Sequence, residues 1–202
     1  MNIPEREIRA NFNDNNIRVY QAYNDVIADT AIKKGTFVSP PFKMERMTWI
    51  KPSFLWMMYR SGWGKKDVGQ NRILAIDISR EGFEWALQNS LLSHEANNYQ
   101  DKTQWNKMKE TTPVRIQWDP ERNFSFEALK NRSIQIGLTK NAVKLYVNEW
   151  IQNITDVTEL AGKIQELVND GKLDEAQKLL PIEDVYPLTE QQITKLHATP
   201  IL

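Results

Sequence analysis

The chain has 202 residues, 41% hydrophobic and 26% charged, which suits one domain with a substantial core and excludes a disordered polymer. Its 26 basic and 26 acidic side chains cancel, so contact with a polyanion has to come from a local patch. The absence of cysteine excludes disulfides, thiolate metal sites and a cysteine nucleophile and fits a reducing, cytoplasmic setting; with only His94 and His197, a site of several histidine ligands is excluded too, and no metal is expected. The N-terminal Met-Asn-Ile-Pro-Glu-Arg-Glu lacks the apolar core of a signal peptide. No run reaches the roughly 18 apolar residues of a spanning helix, so no membrane partner is expected.

In chain order, residues 1–16 read as a polar lead-in. Ile17 to Tyr23 alternates apolar and polar positions as a half-buried strand does. Asn24 or Asp25 can cap a helix over Val26 to Lys34, stopped by Gly35. Thr36 to Ser39 reads as a short second strand, ended by Pro40-Pro41.

The densest stretch follows, Arg46 to Gly64, where Trp49, Trp56 and Trp63, Phe54, Tyr59 and three methionines enclose Arg46, Lys51 and Arg60. Pro52 is placed to open a helix running to about Tyr59, apolar nearly all round and therefore enclosed by other elements. The three tryptophans read as core for at least two of them, against a stacking wall. Arg60 to Lys66 is a glycine-broken turn with three cations.

Arg72 to Ser79 is a strong strand, and Glu81 to Leu92 an amphipathic helix. Residues 94–112 read as a short helix or loop, with His94 exposed. Val114 to Trp118 alternates as a strand, left by a turn at Asp119-Pro-Glu-Arg122. Arg132 to Leu138 is a further alternating strand; a helix from Asn141 to Trp150 and a short Ile151 to Val157 segment come next. Residues 158–180 give an amphipathic pattern broken near Asn169-Asp-Gly171, and 158–202 reads as a helical strap and tail. The expected fold is α+β, a single domain with a mixed or antiparallel sheet and packed helices.

Val19-Tyr-Gln-Ala-Tyr23, Arg46 to Trp63, Gln117-Trp-Asp-Pro-Glu-Arg122 and Arg132-Ser-Ile-Gln-Ile-Gly-Leu138 resemble the bacterial and fungal family called domain of unknown function 4291, over most of the chain. That family name carries no activity. A weaker similarity, to ADP-ribosyltransferase-like folds, rests on a strand with Arg18 and Tyr20, a helix ending in Lys-Gly and a short strand. It implies Arg18 at the first-strand position, Ser53 or Tyr59 on the second element and Gln135 where those folds often carry a glutamate. Gln135 cannot serve as that carboxylate, which puts glutamate-dependent transfer onto protein in doubt. The RNA 2′-phosphotransferases of the same broad fold use basic residues, a part Arg18, Arg60 and Arg132 can take.

Arg18, Arg46, Lys51, Arg60, Lys65 and Lys66 are the candidates for holding an anion, because a guanidinium fork matches phosphate and nearby aromatics can stack on a base. Against this stand cations that snorkel from the core edge or pair with carboxylates. Tyr20, Tyr59 or Trp63 would stack on a ring, Ser53 and Arg132 would contact the ligand, and Gln135 would hold a ribose hydroxyl or pair within the sheet. Asp119 and Glu121 fit a turn better than an acid–base pair, and Asp77 and Arg80 fit surface ion pairs better than a cleft. The readings are a nucleotide-type or phosphorylated ligand (NAD, ADP-ribose or an RNA end), with Arg18, Tyr59, Arg60 and Gln135 catalytic if ADP-ribosyl or phosphate transfer occurs. The alternatives are a non-catalytic nucleic-acid or protein binding module, or a partner surface on the helices from Thr158 to Leu180.

Overall fold

Two sheets carry the molecule, joined at the residue where the dense stretch turns from strand to helix. The computed structural model describes residues 4–93 and 102–200, so His94 lies outside the described residues. The elements in order are β1 (Arg9–Ala10), β2 (Asn16–Tyr23), α1 (Asp25–Lys34), β3 (Thr48–Ile50), α2 (Phe54–Ser61), β4 (Arg72–Ser79), α3 (Arg80–Gln88), β5 (Ser90–Leu92), α4 (Lys102–Thr111), β6 (Val114–Arg122), β7 (Ala128–Leu138), α5 (Asn141–Leu145), β8 (Ile151–Asp156), α6 (Thr158–Asn169), α7 (Leu173–Leu179), β9 (Asp184–Val185) and α8 (Glu190–Leu196).

One sheet is antiparallel in the order β2-β4-β8; the other runs β3-β7-β6-β5, antiparallel except for the β5–β6 pair. An isolated bridge between Tyr20 and Lys51, with the Tyr20 N–H donating to the Lys51 carbonyl at 2.7 Å, ties the two together. Period-two alternation decides the faces. Ile17 and Val19, Leu74, Ile76 and Ile78, Val114, Ile116 and Trp118, and Ile134, Ile136 and Leu138 share one core with α3 and the segment after α5. The other face of β2 and β4 contributes Tyr20, Ile73 and Ala75 to a second cluster with Phe54, Met57, Met58 and Trp63 and with Ala161 and Ile164 of α6. This is an α+β domain with mixed and antiparallel sheets, as the pattern predicts.

The local expectations meet the structure unevenly. Asn24 caps α1 and Gly35 ends it in the left-handed region, at φ 71°. The enclosed helix is present as α2, but Ser53 caps it and Pro52 precedes it rather than opening the first turn. Residues 36–39 form no strand; Thr36 donates to the Val147 carbonyl and Phe37 stacks on Phe42, so side chains anchor the segment where ladder bonds were expected. The helix expected to reach Leu92 ends at Gln88, and Ser90–Leu92 pairs with β6 instead. Asp119-Pro-Glu-Arg is not the turn: β6 continues through Pro120 with a register irregularity, and the chain reverses at residues 123–127. The last five residues of the Asn141–Trp150 helix wind as a π-helix from Tyr146 to Trp150.

Candidate active-site cavity

A cavity of about 560 Å³ opens where β2, β3, β6 and β7 meet the C-terminal half of α2. The residues of β3, β6 and β7 that face away from the main core, Trp49, Gln117 and Gln135, build its floor. Gln117 and Gln135 stand directly opposite each other in the β6–β7 register. Both amides donate to Asp119, at 2.8 Å to Oδ1 and 2.6 Å to Oδ2, which fixes the two side chains as a rigid pair. On the β2 side, Gln21 is 3% exposed and fully engaged: its amide donates to the Tyr23 hydroxyl and the Trp49 carbonyl, and it accepts from the Tyr146 hydroxyl at 2.7 Å. Burial pushes the Tyr23 hydroxyl up to about 12, although its bonds to Thr48 and Gln21 act the other way, so it is a neutral group at the wall.

Four cations line this space: Lys43 and Arg46 from the loop before β3, Lys51 just after β3, and Arg60 from the last turn of α2. None of their side chains has an ion pair or hydrogen bond among the described residues. Asp67 is the one acid along the lining, and it accepts from the Gly69 N–H in its own turn. Lys43, Arg46 and Arg60 are exposed, whereas Lys51 is 5% exposed. Its ammonium has lost its hydration, and the Arg60 charge adds to the penalty; together they lower it to about 7 against a weaker pull from Asp119. A lysine in this condition is an uncharged amine much of the time at neutral pH.

The structure brings Arg46, Lys51, Arg60 and Gln135 together in this cavity. It places the other candidates elsewhere. Arg18 lies on the opposite face of β2, bidentate to Asp77 of β4 at 2.7 and 2.9 Å. Tyr20 is buried edge-on to Phe54 in the second cluster, and its hydroxyl has no partner among the described residues. Ser53 is spent as the cap of α2, accepting from the Trp56 N–H at 3.1 Å. Tyr59 stacks on Trp56 beneath the Arg122 guanidinium, 4.0 Å from its ring, and Trp63 stacks on Phe126. Arg132 donates to Glu5 and to the Trp118 carbonyl. The tryptophans divide as expected, Trp56 and Trp63 in the core and Trp49 half-buried at the cavity wall. Arg80 meets Glu84 at 3.6 Å and Asp77 meets Arg18, so both serve ion pairs.

Sequence reasoning overlooks Gln21, Tyr23 and Gln117, and sets Asp119 aside as a turn residue. The alternation of β6 does carry a signal for two of them, since Gln117 falls out of phase with the apolar Ile116 and Trp118. It also misses Glu183, whose carboxylate accepts from the Phe54 N–H at 2.7 Å near the half-buried Glu121.

Antiparallel and mixed sheets enclosing a cation-lined cavity define an α+β protein with a preformed concave site. The chain belongs to the family described as domain of unknown function (DUF4291), whose model matches residues 7–186. No curated protein matches it.

Proposed function

We propose that the cavity binds a phosphorylated, nucleotide-type ligand. The observation that supports this is the convergence of Lys43, Arg46, Lys51 and Arg60 on one space without a carboxylate partner for any of them. Unpaired cations crowded together repel one another, and one of them is buried at a cost; an anion between them relieves both terms. Phosphate suits the set because guanidinium groups grip its oxygens bidentately and the volume matches that of a small-molecule site. Half-buried Trp49 offers a ring edge at the wall, and the rigid Gln117–Gln135 pair offers hydroxyl contacts.

Binding is the part of the reading that the geometry supports. Transfer of ADP-ribosyl or phosphate groups would have to run without Arg18 and Tyr59, which lie outside the cavity, and with Gln135 in place of a carboxylate. Calorimetric titration with NAD, ADP-ribose, AMP and short RNA tests the proposal. At least one should bind with micromolar or tighter affinity, and Arg60→Ala should weaken it about tenfold to a hundredfold, the range for one charge-assisted contact. Heat from none of them would overturn it. Binding of RNA alone, with steep salt dependence, would instead favour a nucleic-acid binding module.

A further inference from the structure

We propose that Lys51 is a nucleophilic amine that captures the carbonyl carbon of a phosphorylated reducing sugar as an imine. This rests on the reading of the cavity as a phosphate site and names the substrate class for it. Three placements carry the inference. Lys51 is the one cavity cation that is buried, and its side chain has neither an ion-paired carboxylate nor a hydrogen-bond partner among the described residues, so only a weaker pull from Asp119 offsets its burial. The remaining cations are exposed along the same lining, where they can hold a phosphate while the far end of the ligand reaches inward. Between them stand Gln117 and Gln135, whose amides are taken by Asp119 and whose carbonyl oxygens have no partner among the described residues; they are free to accept from sugar hydroxyls.

The environment of Lys51 fits the chemistry. Burial and the neighbouring Arg60 keep its nitrogen uncharged for a large fraction of the time near pH 7, which is how enzymes ready a lysine for carbonyl attack. The step balances without a co-reactant. The nitrogen lone pair forms a C–N bond to the carbonyl carbon of the ring-opened sugar while the carbonyl oxygen gains a proton. The carbinolamine then expels that oxygen as water, both hydrogens having come from the amine, and leaves a C=N bond. Nothing is oxidised or reduced. Asp119, close enough to favour the charged form of Lys51, would stabilise the protonated imine.

The test is reductive trapping with sodium cyanoborohydride at pH 7, using ribose 5-phosphate and ADP-ribose as carbonyl probes and NAD and AMP as phosphorylated compounds without a free carbonyl. Intact mass should rise by one reduced adduct per chain with either carbonyl probe. Peptide mapping should place it on Lys51, labelled about tenfold or more faster than any exposed lysine, because an exposed amine is almost wholly protonated at this pH. Lys51→Arg should lose the adduct, and NAD or AMP should slow trapping in the parent protein. Adducts spread evenly over exposed lysines, or none on Lys51 while calorimetry shows ADP-ribose bound, would overturn the imine and leave the phosphate site standing. If no phosphorylated probe binds, the phosphate reading falls. Trapping with uncharged glyceraldehyde then decides the amine separately: preferential labelling of Lys51 supports it, and even labelling ends it.

Discussion

At the scale of single residues, Lys51 carries a cost that can be measured without any ligand. Its amine falls from an ordinary 10.5 to about 7 on folding, and each unit is worth about 1.4 kcal/mol, so the penalty at neutral pH is on the order of 4 kcal/mol before relaxation. The sign follows from proton counting. Between about 7 and 10 the unfolded chain holds a proton that the native state lacks, so stability contributed through this group rises with pH across that window. Below the window the penalty is constant, and above it both states are neutral. Lys51→Met keeps the length and removes the charge. It should therefore be more stable than the parent by roughly 2–4 kcal/mol at pH 7, with the gain shrinking steadily by pH 9.5 in urea unfolding. A gain independent of pH would mean that the buried charge is not its source.

At the scale of elements, strands whose two faces differ chemically are legible in the sequence, and elements ended by tertiary contacts are not. β4 runs over Arg72–Ser79 as its pattern predicts, and Asn24 and Gly35 bracket α1 because caps are local chemistry. The end of α3 is not local: the residues after Gln88 keep a helical apolar spacing but gain more as β5, pairing with β6. The cavity is half legible for a similar reason. Arg46, Lys51 and Arg60 stand out as charges within an apolar run, whereas Gln21 becomes a site residue through Trp49 and Tyr146 far along the chain, and Asp119 through the strand register that brings Gln135 to it. One helix contact is equally invisible in the sequence. Gly82 of α3 packs its backbone on the Trp150 ring so closely that a β-carbon would lie 2.3 Å from the ring's Cγ. Helix propensity alone would make Gly82→Ala stabilising by up to about 1 kcal/mol, but overpacking of this kind costs about 1–3 kcal/mol. The variant should melt several degrees below the parent, while Gly162→Ala in α6, with nothing within 4 Å of the new methyl, should melt slightly above it. Similar melting temperatures for the two would show that the ring yields.

At the scale of the molecule, α2 links a basic end to a buried carboxyl. Its C-terminal turn presents Arg60 to the cavity; its first turn gives the Phe54 N–H to Glu183, from the segment leading into β9. That segment pairs with β1, and Thr199 beyond it exchanges hydrogen bonds with Arg6, so the two ends of the chain are woven together over the start of the helix. Burial, with Glu121 adding repulsion, pushes the Glu183 carboxyl up to about 8 in spite of the Phe54 bond and the Arg9 charge. Between about 4.3 and 8 the native state then holds a proton that the unfolded chain has released, so this contribution is full at low pH and lost as pH rises through 8. Its slope is opposite to that of Lys51, and the combined cost of the two groups is greatest near pH 7–8. Glu183→Gln keeps an acceptor for the Phe54 N–H and removes the charge. The variant should match the parent in melting temperature near pH 4.5 and exceed it increasingly up to pH 8.5, by scanning calorimetry. A constant difference across that range would place the Glu183 carboxylate in water rather than at the end of α2. Combined with Lys51→Met it should remove the stability minimum near neutrality, because the two groups share no hydrogen bond and neither is among the charges that shift the other.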